Sequence, residues 1–264
     1  MFNKVLIIVF VLTVMATVFM HANIAKADFA VEDGLVGYWT LDKDDVEGET
    51  VKDVWGGSDG TIIGKANSIK GKVRDSLDFG GQGHVDVPTT DSLNITGHIT
   101  VEAYINRSQS GAQHAIVEQY GCVGDAPKVG GFCLRVLNSN LICFYTLDNC
   151  GSGDAATGKT IIKDDTWYHV VATWDGKEIA IYVDGVLDVT LPTKRNPKDR
   201  GMPLRIGAMG NNSSTQFNGT IDEVRVYNRA LSEDEVNQNM NAEGMAVEKT
   251  NKLAFTWGKI KASR

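Results

Sequence analysis

The sequence predicts an all-β fold, a two-sheet antiparallel β-sandwich with one short helix near its C-terminal end. Three observations lead there. Short runs rich in Val, Ile, Thr and aromatic residues recur between residues 34 and 227. Gly, Asn and Asp turns separate them, and one later stretch alone carries helix signals.

The runs follow in order. GLVGYWTL opens at residues 34–41, then SLDF at 76–79, HVDV at 84–87, ITVEAYI at 99–105 and AIVEQY at 115–120. Residues 132–137 and 141–147 form a hairpin whose tip is Asn138-Ser-Asn140. The clearest hairpin is WYHVVATW at 167–174, an Asp175-Gly-Lys177 turn, then EIAIYV at 178–183 and a second turn at Asp184-Gly185. Trp167, His169, Val171 and Thr173 share one face of that first strand, and Tyr168, Val170, Ala172 and Trp174 the other. Both faces are largely apolar, so the strand is predicted to be central and His169 a hydrogen-bonded core residue. Residues 232–241 read as the helix, with Ser232 and Glu235 spaced as a capping box.

The first 27 residues hold one cation near the start, Lys4, an apolar run at 5–20, and a polar end at Ala25-Lys-Ala27. That is the layout of a secretory signal peptide cleaved after Ala27, with an N-terminal membrane anchor as the alternative. No later stretch is apolar enough to cross a bilayer. Removing Lys4 and Lys26 takes the net charge from -7 to -9, and a spread acidic balance argues against nucleic acid as a partner. The expected organisation is 1–27 signal peptide, 28–244 sandwich domain and 245–264 a basic, aromatic tail.

Cys122, Cys133, Cys143 and Cys150 lie within 29 residues, with ten, nine and six residues between neighbours. Zinc pairs want two to four, so disulfides are expected in an exported chain, with free thiols as the alternative. Three connectivities are open, and the hairpin favours Cys122 with Cys150 and Cys133 with Cys143.

Eight pieces occurring in order carry a resemblance: GLVGYWTLD (34–42), VKDVWGGSDGT (51–61), SLDF (76–79), LNIT (93–96), TVEAY (100–104), WYHVVATWDG (167–176), IYVDG (181–185) and residues 217–232, FNGTIDEVRVYNRALS. Together they resemble the laminin-G-like jelly-roll family of the concanavalin A-like lectin/glucanase superfamily, over about residues 33–240. The resemblance implies a jelly roll whose first and last strands pair, a binding role toward carbohydrates or proteins, and often a structural Ca²⁺.

Relatives on this fold also include glycoside hydrolases, which place acids at alternate positions of one strand, E-x-D-x-x-E or E-x-D-x-E. This chain has no such run. Its adjacent pair, Asp222-Glu223, would face opposite sides of a regular strand, whereas retaining hydrolysis needs two carboxyls about 5 to 5.5 Å apart across one bond. Glu223 is expected outside with Arg225 and Tyr227. Asp222 is expected inside with Val224 and Val226, where a carboxylate needs a partner or a metal. The loop from Asp53 to Gly60 resembles the family's Asp- and Gly-rich segment. Asp53 and Asp222, with carbonyls of Gly57 and Ser58, are the expected Ca²⁺ ligands; the alternative is that both carboxylates only cap turns or accept backbone N–H bonds.

For a ligand, Trp55 is the leading aromatic platform, followed by Tyr120, residues 121–131, and Asn211 and Asn212. The basic run at 194–200 could meet an anionic glycan or be a solvated loop. The tail, with Leu253, Phe255 and Trp257 alternating among cations, reads as an extra strand or an export or attachment signal. The resulting expectation is a secreted, non-catalytic binding module for carbohydrate or for cell-surface and matrix protein, with a structural calcium ion. A glycan-cleaving enzyme and a purely structural or adhesive envelope protein are the alternatives.

Overall fold

The computed structural model describes residues 30–120, 131–149, 152–197, 201–210 and 215–242. The chain divides into two units. Glu32–Met240 holds all the strands and the helix described below. The other combines Met1–Val31 with Asn241–Arg264, so the leader and tail expectations lie outside the described residues.

Among the described residues, seventeen strands build two antiparallel sheets. In chain order they are β1 (Leu35–Trp39), β2 (Val46–Glu47), β3 (Thr50–Val51), β4 (Gly60–Gly64), β5 (Asn67–Lys70), β6 (Asp75–Asp78), β7 (Gly83–Val87), β8 (Ile99–Arg107) and β9 (His114–Tyr120). There follow β10 (Gly131–Val136), β11 (Leu141–Asn149), β12 (Ser152–Ile161), β13 (Trp167–Trp174), β14 (Glu178–Val183), β15 (Val186–Pro192), β16 (Leu204–Ile206) and β17 (Gly219–Tyr227). The first sheet runs β15-β14-β13-β8-β17-β6-β5, and β1 also pairs with β17. The second runs β12-β11-β10-β9-β16-β7-β4-β3-β2. One helix, α1 (Glu233–Met240), follows β17. The arrangement is the expected jelly-roll sandwich, with first and last strands paired.

The core lies between the sheets. Val101, Ala103 and Ile105 of β8, Val170 and Ala172 of β13, and Ile221, Val224 and Val226 of β17 meet Ile116, Leu134, Phe144, Val85 and Ile206 of the other sheet. Each such buried Val, Leu, Ile or Phe side chain contributes roughly 1.5 to 3 kcal/mol. Strand β13 is central between β14 and β8 and is buried along nearly its whole length, as its two apolar faces predicted. The Asp184-Gly185 turn has positive φ at both positions, 49° and 76°, the geometry a two-residue hairpin loop needs. Ser232 caps α1: its N–H donates to Glu235 Oε2 at 2.8 Å, and the Glu235 N–H approaches Ser232 Oγ at 3.4 Å.

Seven strands escaped the sequence reading: β2, β3, β4, β5, β12, β15 and β16. β12 is SGDAATGKTI, whose Gly, Ser and Asp content carries little strand preference. It is extended because β11 supplies a pairing edge, and the Lys159 and Thr160 N–H groups donate to Asp188 of β15. β15 follows from its turn.

The cysteine pairing needs correction. Cys133 and Cys143 are buried free thiols. The β10–β11 register sets Cys133 opposite Tyr145 and Cys143 opposite Arg135, so the two cysteines are diagonal rather than facing. Cys122 and Cys150 lie outside the described residues.

Candidate functional site

Strand β17 is irregular where the acidic pair falls. Asp222 is opposite Tyr104 and Arg225 opposite Glu102, so two residues, Glu223 and Val224, sit against the single Ala103. This is a β-bulge, and Glu223 takes a left-handed φ of 54° within it. The alternation slips by one. Asp222 therefore faces away from the core with Tyr104, not inward with Val224 and Val226, and Glu223 turns to the same outer side.

Neither carboxylate is surface trim. On this outer face Glu223, Arg225, Glu102, Asp222, His169 and Asn239 are all buried. Glu223 Oε2 accepts the Tyr38 hydroxyl at 2.6 Å and pairs with the Arg225 guanidinium. Arg225 Nη1 also donates to Glu102 Oε1 at 3.0 Å. Asn239 of α1 donates to Glu102 and accompanies the Tyr227 hydroxyl, and the Tyr104 hydroxyl donates to the Met240 carbonyl, so the helix lies over the network. Burial pushes Glu223 up from the ordinary carboxylate range, against the pull of Arg225. Burial also acts upward on Glu102, but His169, 3.7 Å away, and Arg225 hold it below that range. His169 is buried, but on this outer face rather than in the core between the sheets, and its ring nitrogens have no hydrogen-bond partner, against the expectation of a hydrogen-bonded core histidine; the ring packs on Tyr104.

Asp222 Oδ2 accepts the Lys72 and Val73 N–H groups at 2.8 and 2.9 Å, and Oδ1 has no partner. Burial, with Glu223 and Asp42 nearby, pushes its carboxyl up to about 8. A Cβ at Gly71 would stand 2.5 Å from the Asp75 carbonyl oxygen and 2.6 Å from Asp222 Oδ2, so the position needs glycine.

The Asp53 loop is held differently. Asp53 Oδ1 accepts N–H groups of Tyr38, Trp55 and Gly56 at 2.9 to 3.0 Å, and Oδ2 that of Ser58 at 2.9 Å. The Ser58 carbonyl accepts the Trp39 indole N–H at 3.1 Å. Donors converging on Asp53 fit a carboxylate, not a cation, and Asp222 takes its hydrogen bonds from another segment. The residues Asp53, Gly57, Ser58 and Asp222 therefore do not fit a shared Ca²⁺. Among the described residues no group of three or more His, Cys, Asp and Glu side chains could hold a metal ion.

The same loop presents Trp55, which is 40% exposed with its indole N–H donated to the Leu35 carbonyl at 2.9 Å. Tyr120 ends β9 half-buried, edge-on to Tyr145 at 5.9 Å between centroids. Asn211 and Asn212, the loop at 121–130 and Lys198 to Arg200 lie outside the described residues.

Sequence reasoning missed a second polar cluster, on the outer face of the second sheet. Glu118 of β9 is fully buried; its Oε1 accepts the Gly210 N–H and lies 3.4 Å from Arg205 Nη1. Arg205 Nε donates to Asp86 Oδ1 at 2.8 Å, and His84 Nε2 is 3.2 Å from the same oxygen. The signal was present: Glu118 interrupts an apolar run, but without register nothing joins it to Arg205 and Asp86.

A family model described as the concanavalin A-like lectin/glucanases superfamily (Laminin_G_3) matches residues 79–237, more than half of the chain. The chain belongs to this family. A curated relative of this concanavalin A-like chain is the human adhesion G-protein coupled receptor D1, 32% identical over 96 residues, which are 35% of the chain and 11% of the receptor. The chain thus spans about a tenth of that receptor.

Solved structures of similar fold include an arabinanase domain and toxin binding domains. Domain 4 of AbnA, a GH43 extracellular arabinanase from Geobacillus stearothermophilus, in complex with arabinotriose, has a TM-score of 0.63 at 17% identity, covering 78% of this chain and 98% of that one. The binding domain of Paraclostridial mosquitocidal protein 1 gives 0.61 at 18%, with 79% and 52% covered. The binding domain of botulinum neurotoxin DC in complex with SialylT gives 0.59 at 14%, with 79% and 51% covered. At these identities the likeness is one of fold.

Proposed function

We propose that this concanavalin A-like chain is an exported, non-catalytic binding module that recognises carbohydrate on a cell surface or in a matrix. The observation that carries the reading is Trp55. Its edge is tied down by the Leu35 carbonyl, its loop is frozen by four N–H bonds into Asp53, and the residue remains 40% exposed. A rigid, solvent-facing aromatic ring stacks on a sugar at little entropic cost. Non-catalysis is supported by the acidic pair, whose carboxylates are buried under α1 and the 71–74 turn. The arabinotriose-bound arabinanase domain and the neurotoxin domain in complex with SialylT make saccharides the favoured target class. The N-terminal leader pattern supports export, and calcium has no part in the reading.

A glycan array probed with purified protein tests it, with and without CaCl₂. Specific glycans should bind, and Trp55→Ala should weaken them by about 10-fold or more. A blank array alongside binding to surface proteins would move the function to protein adhesion.

A further inference from the structure

The outer face of the first sheet buries more acid than base. Asp222, Glu223 and Glu102 share it with a single guanidinium, Arg225, and all four are shut off from solvent. Register sets Asp222 opposite Tyr104, Tyr104 opposite His169, and Arg225 opposite Glu102, two residues along β8 on the same face. Four buried polar atoms here have no hydrogen-bond partner: Asp222 Oδ1, both His169 ring nitrogens and Arg225 Nε. His169 Nε2 stands 3.7 Å from Glu102 Oε2, too far for an ordinary hydrogen bond. A proton on His169 turns that approach into a charge-assisted contact and supplies the second cation that the face lacks.

Two covers close the face, and they answer charge differently. The 71–74 turn donates the Lys72 and Val73 N–H groups to Asp222 Oδ2 at 2.8 and 2.9 Å, and these bonds strengthen when the carboxyl ionises. Helix α1 is held more lightly, with Val236 and Asn239 its only buried residues. Arg229 pins its first turn through Glu235, at 2.7 and 2.9 Å. Its C-terminal end rests on polar contacts alone: Asn239 Nδ2 donates to both Glu102 oxygens at 2.9 and 3.1 Å, the Met240 carbonyl accepts the Tyr104 hydroxyl, and Asn237 Nδ2 donates to the Gly185 carbonyl at 3.1 Å. An element with so little apolar burial lies at the low end of local stability.

We infer that α1 is a proton-controlled latch: protons on Asp222 and His169 hold its C-terminal end against the first sheet, and their loss lifts it. This goes beyond the Trp55 reading and does not rest on it. With both protons in place, Glu102 and Glu223 meet Arg225 and the His169 imidazolium, two charges against two. Without them three carboxylates share Arg225, and uncompensated buried charge is relieved by admitting water. Water enters at α1, because ionised Asp222 tightens the other cover.

The surrounding charges act in the same direction. Beside Asp222 stand Glu223 and Asp42, with Arg74 paired to Asp42 and Lys72 Nζ 5.9 Å from the centre of the Tyr104 ring. Beside His169 stand Glu102, Tyr104 and Asp184, whose Oδ1 accepts the His169 N–H at 2.8 Å; Tyr182 follows across β14, with Glu233 of α1 near it. Burial pushes the Asp222 carboxyl up to about 8, whereas a hydrated one releases its proton near pH 4. Closure is therefore favoured at low pH and is lost as pH rises toward 8.

Hydrogen exchange of the full chain between pH 6 and 9, read by mass spectrometry as protection factors, tests the latch. Residues 233–240 should be at least about 10-fold less protected than β13, and should lose about 10-fold or more protection from pH 6 to 8, the opening that release of one proton drives. Asp222→Asn should keep α1 closed at pH 8. His169→Gln, which cannot carry the charge, should open it at pH 6. If these variants do not fold, Tyr104→Phe and Asn239→Ala cut the tethers of α1 itself, and each should bring residues 233–240 at pH 6 toward the parent's level at pH 8 with β13 less affected. Equal protection of α1 and β13 at every pH overturns the latch, because the helix then opens only with the whole domain. Protection of α1 that does not change with pH, a slope that Asp222→Asn and His169→Gln both leave intact, or a helix unmoved by Tyr104→Phe and Asn239→Ala also overturns it.

Discussion

Tyr38 of the first strand donates its hydroxyl to Glu223 of the last at 2.6 Å, and the Arg225 guanidinium lies over the Tyr38 ring at 4.5 Å. The first and last strands are thus joined by a buried hydroxyl–carboxylate hydrogen bond and a cation–π contact as well as by their pairing. Arg225 answers both Glu223 and Glu102, so Arg225→Met should strand two buried carboxylates and cost about 3 to 5 kcal/mol in urea unfolding. Tyr38→Phe, which removes one hydroxyl, should cost about 1 to 3 kcal/mol. Equal losses from the two would contradict this hierarchy.

Asp222 makes stability fall with pH. Its folded pKa, about 8, lies above the ordinary carboxylate value, so the folded chain holds a proton that the unfolded chain releases. That contribution is complete below about pH 4 and is lost as pH rises toward 8. Asp222→Asn keeps an oxygen for the Lys72 and Val73 N–H groups without the titration. Its stability relative to the parent should improve across this window by up to about 1.4 kcal/mol per pH unit. A difference independent of pH would show that Asp222 does not hold the proton.

The Asp53 loop should ignore calcium. With four N–H donors on the carboxylate, CaCl₂ should leave the melting temperature unchanged in calorimetry. Asp53→Ala should instead cost roughly 2 kcal/mol or more with or without the metal, because buried donors lose their acceptor. Heat on titrating metal-stripped protein with CaCl₂, lost in Asp53→Ala, would restore the metal.

Cys133 and Cys143 should behave as inert thiols. Both are buried, and burial pushes the Cys133 thiol well above its usual range, so the nucleophilic thiolate is scarce. Mass spectrometry after alkylation under native conditions should find both unmodified, and after guanidinium unfolding without reductant both modified. A tryptic fragment linking them would refute the free-thiol assignment.

Much of the fold was legible in local pattern. The β13–β14 hairpin, its Asp-Gly turns, the capping box at Ser232 and Glu235, and the strand that closes the jelly roll all express short-range rules: alternation, positive-φ turn residues and reciprocal capping. β12 was not legible, because its residues have little strand preference of their own and are extended only by pairing with β11. The Trp55 loop was located correctly, but what Asp53 binds there depends on four N–H groups whose direction no residue spacing reveals.

By itself the sequence determined a two-sheet β-sandwich and an acidic pair near its C-terminal end, while the pairing of first and last strands was implied by the family resemblance. Tertiary structure alone decided what that pair does. Alternation assumes one residue per pairing step, and the bulge at Glu223 adds one, turning both carboxylates outward, where Tyr38, Arg225 and α1 then bury them. The same holds for Glu118, Arg205 and Asp86, which are far apart in sequence and meet only because hydrogen-bonded register places β9, β16 and β7 side by side.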